Sequence, residues 1–266
     1  GLGAARKLGY QPNAHARSRN AGRSRIVGLV LTCLDNLLYP AVLGQLAGGL
    51  RTSGYHVLLF ISEHQDPDEL VGQLLQYNVD GIVLGATTLS SGLAQRCADA
   101  SVPVVLFNRV MAAHGVGAVS SVRTAHEGGG RIIARFLAAA GHRRISYIAG
   151  REDASTNLER ERGFREGLAE SGLRVYARAT GNFEDAQARD AARKLFGAGA
   201  ATRPDAVFAA SDQMALAVMD TLRHELGLRV PEDVSVVGFD NVVQSAWDSY
   251  RLTTFEQPID ALVRSI

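Results

Sequence analysis

Nothing constrains this chain more than the rhythm of its apolar residues. Short apolar runs of four to seven residues recur from residue 26 onward, each separated from the next by a stretch with helical spacing. IVGLVL (26–31) is followed by Tyr39, Val42, Leu43, Leu46 and Leu50, three and four apart. Next comes YHVLLFI (55–61), then Asp66-Pro67-Asp68-Glu69, which carries an N-cap, proline at the first helical position and a glutamate placed for a capping box. The stripe Leu70, Val71, Leu74, Leu75 follows, then GIVLGA (81–86), PVVLFN (103–108) and VGAVSSV (116–122). The alternation then restarts. A helix carrying Ile132, Ile133, Phe136 and Leu137 stops at Gly141, and RISYIAG (144–150) precedes a helix with Leu158, Phe164 and Leu168. VYARAT (175–180) is a weaker strand. AVFAAS (206–211) leads to a helix with Ala215, Val218, Met219, Leu222 and Leu226. VSVVGFD (234–240) is the last strong strand, and LTTFEQP (252–258) begins a return connection.

Strands buried on both faces read as continuous apolar runs, and repeated strand–helix–strand units imply parallel sheets covered by helices. About five units, a break and about four more predict an α/β chain of two doubly wound lobes facing each other across a cleft. Ligands of such sheets bind beyond the carboxyl ends of the strands. The expected organisation is 1–25 as a lead-in, 26–124 as the first lobe, 125–251 as the second, and 252–266 returning toward the first.

The lead-in has its own character. Residues 1–25 hold six Lys or Arg and no acid, whereas the whole chain is only +1, so the remainder is −5. A basic head on a mildly acidic body is either a solvated linker or a contact with a polyanion. Pro12 disfavours helix at Gln11 and Asn13 is a good N-cap, so Ala14 to Asn20 can form about two turns. That is too short to be stable alone, and folding is expected only against a partner. The start lacks the apolar core of a secretory signal, and no apolar run is long enough to cross a bilayer. Cys33 and Cys97 lack metal-ligand spacing and read as buried free thiols of a reducing cytoplasm. There is no Walker-type phosphate loop, nucleotide-binding glycine turn, nucleophile elbow or metal cluster, so the chain reads as neither an enzyme nor a cofactor or metal protein.

Seven segments, in order, resemble the lactose-repressor/galactose-repressor family of bacterial transcription regulators: LGYQPNAHARS, YNVDGIVL, AGHRRISYIAG, ERERGFREGL, FAASDQMA, VPEDVSVVGFDN and LTTFEQP. The resemblance spans nearly the whole chain. It implies a helix-turn-helix head, of which residues 1–10 look like the tail, a hinge helix, and a periplasmic-binding-protein-like core that dimerises. It also implies a cytoplasmic regulator, most simply a repressor, whose hold on operator DNA is set by a small-molecule effector, a sugar or sugar derivative. A sugar-binding protein of a transporter is the alternative.

For DNA, the resemblance points to Asn13, Ala16, Arg17 and Arg19 of the hinge. Family hinges wedge an apolar residue into the minor groove, where this chain has Arg19. For the effector, the strand ends offer Asp35 and Tyr39. The resemblance carries ligand roles onto Arg160, Phe183, Asp212 and Asp240, with Asn108 and Gln257 beside them. Carboxylates accept from sugar hydroxyls, a guanidinium donates a fork and an aromatic ring covers a sugar face. Each has a bland counterpart: Asp212 as a helix cap, Asp240 as a turn, Arg160 in a surface ladder with Glu159, Glu161 and Arg162, Phe183 as core. The family's Asn-Pro-Phe after the first strand is Asn36-Leu37-Leu38 here, and its Asp-Asn opening the second lobe is Ala125-His126. His126 is expected to be a partly exposed hydrogen-bonding histidine.

Overall fold

The computed structural model describes residues 23–31, 36–62, 66–85, 90–109 and 119–266. Expectations for Asn13, Ala16, Arg17, Arg19, Asp35 and Cys33 lie outside them. The described chain falls into two compact units. One comprises residues 23–31, the stretch between 43 and 122, and 263–266; the other comprises 36–42 and 123–262.

In the first unit, β1 (Ile26–Leu31), β2 (His56–Ile61), β3 (Gly81–Gly85), β4 (Val104–Phe107) and β5 (Val119–Val122) form a parallel sheet in the order β2-β1-β3-β4-β5. Helices α1 (Leu38–Thr52), α2 (Pro67–Gln76) and α3 (Ser91–Asp99) connect the strands. Val30, Leu84 and Leu106 pack with Val71, Leu74 and Cys97, and burial pushes the Cys97 thiol pKa up, leaving it an inert filler. Asp80 receives the main-chain N–H groups of Ser24 and Arg25 at 2.9 and 3.0 Å, so the end of the basic lead-in is tied down where β1 begins. β2 is an edge: all six of its residues pair with β1, from Ile26↔His56 to Leu31↔Ile61, and among the described residues no strand lies on its other side.

The second sheet runs β10-β9-β8-β6-β7, again all parallel. Its strands are β6 (Ile145–Ala149), β7 (Arg178–Thr180), β8 (Ala206–Ala209), β9 (Ser235–Asp240) and β10 (Thr253–Glu256). Its helices are α4 (His126–Ala139), α5 (Ser155–Ala169), α6 (Asp185–Phe196), α7 (Asp212–Asp220) and α8 (Ile259–Ser265). β6 and β8 are buried at every residue, which is why they read as apolar runs, interrupted in β6 only by Ser146. Tyr147, Phe164 and Phe208 stack in the core, with centroids 5.0–5.7 Å apart.

Four expectations change in detail. LTTFEQP is not a plain return: Thr253–Glu256 is an edge strand of the second sheet. The helix expected to run past Leu222 is α-helical only to Asp220 and continues as a π-helical turn over Thr221–Glu225. Asp66 caps α2 by accepting from Asp68 N–H at 3.0 Å rather than closing a box with Glu69. Ile132, Phe136 and Leu158 are about half exposed. The reason for the last is glycine. α4 and α5 meet backbone to backbone at Gly130, Gly163 and Gly167, where a Cβ would lie 2.2 Å from the Arg160 carbonyl oxygen, 1.9 Å from that of Glu127 and 2.7 Å from that of Arg131. α4 therefore buries Gly129, Gly130, Ile133, Ala134 and Leu137, a face turned away from Ile132 and Phe136.

Candidate functional site

The carboxyl edge of the second sheet gathers most of the polar residues singled out above. Gly150 follows β6, Phe183 follows β7, Ala210 to Asp212 follow β8, Asp240 ends β9 and Gln257 follows β10. Three of the residues here have left-handed backbones: Phe183 (φ 62°), Asp240 (φ 139°) and Asn241 (φ 57°). Parallel sheets place ligands at this edge because the chain turns there into helix N-termini with free main-chain donors.

Arg160 reaches this edge from α5 and is 4% exposed. Its Nε donates to His126 Nδ1 at 3.3 Å, one terminal nitrogen donates to the Ala210 carbonyl, and the other lies 3.6 Å from Asp240 Oδ1. The guanidinium carbon sits 3.8 Å above the Phe239 ring, a cation–π contact in a dry setting. The surface ladder is made instead by its neighbours: Glu159 pairs with Arg123, Arg162 with Glu127 and Arg165 with Glu161. His126 is 1% exposed, not partly exposed. Because an arginine Nε only donates, His126 Nδ1 must accept, so the ring is neutral with its proton on Nε2.

Asp240 is 2% exposed. Gln257 Nε2 donates to its Oδ1 at 2.6 Å, and Gln257 Oε1 accepts from Thr124 Oγ1 at 2.6 Å. Asp240 Oδ2 is buried and has no hydrogen-bond partner among the described residues. Burial pushes the Asp240 carboxyl up to about 7; the nearby Arg160 charge opposes this and the Asp212 charge adds to it. A buried carboxylate oxygen left open beside a fixed guanidinium is an acceptor held ready for an O–H or N–H donor.

Asp212 does not cap the helix that it opens. Ser211 is the cap of α7, its hydroxyl accepting from Met214 N–H at 3.3 Å. Asp212 is the first helical residue, 0% exposed, and burial raises its pKa. Its carboxylate accepts from Val242 N–H at 2.9 Å and from the Thr254 hydroxyl, so it joins the loop after β9 to β10. Phe183 is half-buried with its ring on Gly150, where a Cβ would lie 2.1 Å from a ring carbon. Tyr39, in the first turn of α1, is 7% exposed and acts electrostatically on Arg160. Asn108 belongs to the first unit, at the carboxyl end of β4, with a left-handed backbone (φ 54°) and its N–H on the Val122 carbonyl.

Sequence reasoning passed over Thr124, Tyr147 and Asn157. Asn157 is fully buried on α5, one turn before Arg160. Its Oδ1 accepts from the Tyr147 hydroxyl at 2.9 Å and from Gly150 N–H at 2.8 Å. The spacing of three from Arg160 was the available signal, since it puts both on one helix face.

The model of the periplasmic binding protein-like domain family matches residues 134–266. The chain is similar over 261 residues to the transcriptional repressor PurR of Vibrio vulnificus, at 31% identity, covering 95% of this chain and 75% of that protein. It is 34% identical over 273 residues to the transcriptional regulator CelR of Thermobifida fusca, covering 99% of this chain and 78% of that protein. The solved structure of a CelR–cellobiose complex superposes with a TM-score of 0.80 at 32% identity, covering 98% of this chain and 79% of that one.

Proposed function

From the premise that the chain belongs to the lactose-repressor/galactose-repressor family of bacterial transcription regulators, we propose that it is the effector-binding core of a repressor answering to a sugar or sugar derivative. The small molecule is held at the carboxyl edge of the second sheet. The observation that carries this is Asp240: a buried carboxylate whose Oδ2 has no hydrogen-bond partner among the described residues, steadied by Gln257 and flanked by Arg160. Asp240 accepts from a hydroxyl, the second terminal nitrogen of Arg160 donates to an adjacent oxygen, and the Phe183 ring covers an apolar face. Tyr39 completes the set. Asp212 supports it from behind, because its carboxylate oxygens are engaged by Val242 and Thr254.

Control of DNA follows by linkage. An effector that binds one arrangement of the core better than another shifts the balance between them, and operator affinity changes by the same coupling free energy. The basic lead-in, with Asn13, Ala16, Arg17 and Arg19, is the part that meets operator DNA in a homodimer of the whole regulator. Cytoplasmic work fits this role, and among the described residues no helix is long and apolar enough to cross a membrane. Regulators rather than enzymes are what the chain matches.

Thermal unfolding against cellobiose, glucose, ribose and other sugars, with purine bases alongside, tests the reading. A compound at about 100 times its Kd adds about 2.7 kcal/mol to the folded state. A saturable shift with a sugar, lost in Asp240→Asn, is the expected result. A shift that survives Asp240→Asn unchanged would remove Asp240, and with it this site, from the argument.

A further inference from the structure

We propose that Asn157 reads the effector, its side-chain amide donating a hydrogen bond to an oxygen acceptor of the molecule held beside Asp240 and Arg160. This rests on the reading of the second sheet's carboxyl edge as the effector site. Which end of the Asn157 amide is oxygen is decided by the main chain. Gly150 N–H can only donate, so the atom 2.8 Å from it is Oδ1, and the Tyr147 hydroxyl donates to the same atom at 2.9 Å. Two donors on one oxygen fix the plane and the sense of the amide. Nδ2 then points away from Tyr147 and the Gly150 N–H. It is buried and has no hydrogen-bond partner among the described residues.

Its place makes that open donor useful. Gly150 is the residue on which the Phe183 ring lies, and Arg160 is the next residue on the same face of α5. Tyr147 and Arg160 act on each other electrostatically, so the Tyr147–Asn157 pair lies within reach of the guanidinium charge. Buried polar groups are nearly always satisfied, yet among the described residues Asn157 Nδ2 and Asp240 Oδ2 have no hydrogen-bond partner. Together they specify a complementary pattern: an effector O–H for Asp240 Oδ2 and an effector oxygen for Asn157 Nδ2. A polyhydroxylated ring carries both. A compound that turns an N–H or a methyl group toward Asn157 leaves the donor buried and unpaired, and is rejected on that account.

Asn157→Asp, titrated at a pH where its carboxyl is ionised, tests this with little change of shape: Oδ1 remains for Tyr147 and Gly150 while the open donor becomes an acceptor. The wild-type chain is screened with cellobiose, glucose, ribose and myo-inositol, and the tightest binder is titrated calorimetrically into wild type, Asn157→Asp and Asp240→Asn. The expected result is a Kd at least about tenfold weaker in Asn157→Asp, the size of one lost hydrogen bond, with a cooperative ligand-free melting transition retained at a temperature lowered by the buried carboxylate. Wild-type affinity in Asn157→Asp with binding lost in Asp240→Asn overturns this inference and leaves the site standing. Wild-type affinity in both variants, or no binding of any of these sugars to the wild-type chain, overturns the site and this inference together. Should Asn157→Asp not fold, a crystal structure of the wild-type chain with that sugar decides: a sugar oxygen within about 3.2 Å of Nδ2 supports the inference, and a carbon or a donor there overturns it.

Discussion

Adding one methyl group at Gly163 and one at Gly44 should move stability in opposite directions. Both glycines lie inside helices. At Gly163 the new Cβ would sit 1.9 Å from the Glu127 carbonyl oxygen and 2.7 Å from its carbonyl carbon. Real Cβ atoms do not approach closer than 3.0 Å, so α4 and α5 must separate by at least 1.1 Å at this point. The obstacle is main chain, so no side-chain rotation relieves it. Overpacking of this kind costs about 1–3 kcal/mol, near the upper end when backbone must move. Alanine returns about 1 kcal/mol of helix propensity, leaving a net loss of about 2 kcal/mol. For a chain of this size that is a fall of roughly 4–8 °C in melting temperature. The separation also acts on the site, because α4 carries His126 and α5 carries Arg160, and their 3.3 Å hydrogen bond spans the same helix pair. Effector affinity should therefore fall with stability. At Gly44 nothing among the described residues lies within 4 Å of the new Cβ, so the propensity gain stands alone and the chain gains up to about 1 kcal/mol. Differential scanning calorimetry of both variants and calorimetric titration of effector check this. A Gly163→Ala protein as stable as the wild type, with unchanged affinity, would refute the close backbone contact and the reasoning built on it.

Asp212→Ala leaves the Val242 N–H buried without its acceptor and should lower stability by about 2–3 kcal/mol, read from urea denaturation, with weaker effector binding as the loop after β9 loosens. Binding should also depend on pH through Asp240. Its carboxyl is held up at about 7 in the free chain, and a hydroxyl donating to Oδ2 favours the ionised form. The free state thus binds more protons than the complex, and affinity should rise from pH 5.5 to about 7 and level off above. Titrations at fixed ionic strength across that range check the sign, and affinity rising toward acid would contradict it. Asp66→Ala removes the cap of α2 and should cost about 1 kcal/mol, measured by chemical denaturation, with effector affinity untouched.

How far the residues alone led depended on how local each question was. The strands were legible because a doubly covered parallel strand is a bounded apolar run, and β6 and β8 show that pattern. Strand order was not, since nothing in IVGLVL says which neighbour it takes. Arg160 could not be told from Arg162 or Arg165 by composition. Its inward turn follows from the phase set where Gly163 meets Glu127. Asp212 was ambiguous because an aspartate at that point suits a helix cap as well as a ligand site, and the groups that its carboxylate engages lie 30 and 42 residues away. His126 looked half-exposed because its partner, Arg160, is 34 residues on. Asn157 drew no attention as a neutral residue in a charged helix, since its meaning depends on the amide of Gly150.

The open side of β2 bears on how the chain behaves when crowded or warmed. HVLLFI offers six consecutive residues paired on one side only, four of them half-buried and its ends exposed. It contains no proline, lysine or acid, and His56 is its one polar side chain. Natural edges are guarded against sideways growth by such residues. In a concentrated, stressed solution this strand is the place where one molecule could template another. A single lysine at Leu59, in mid-edge, should raise the concentration at which heated samples turn turbid.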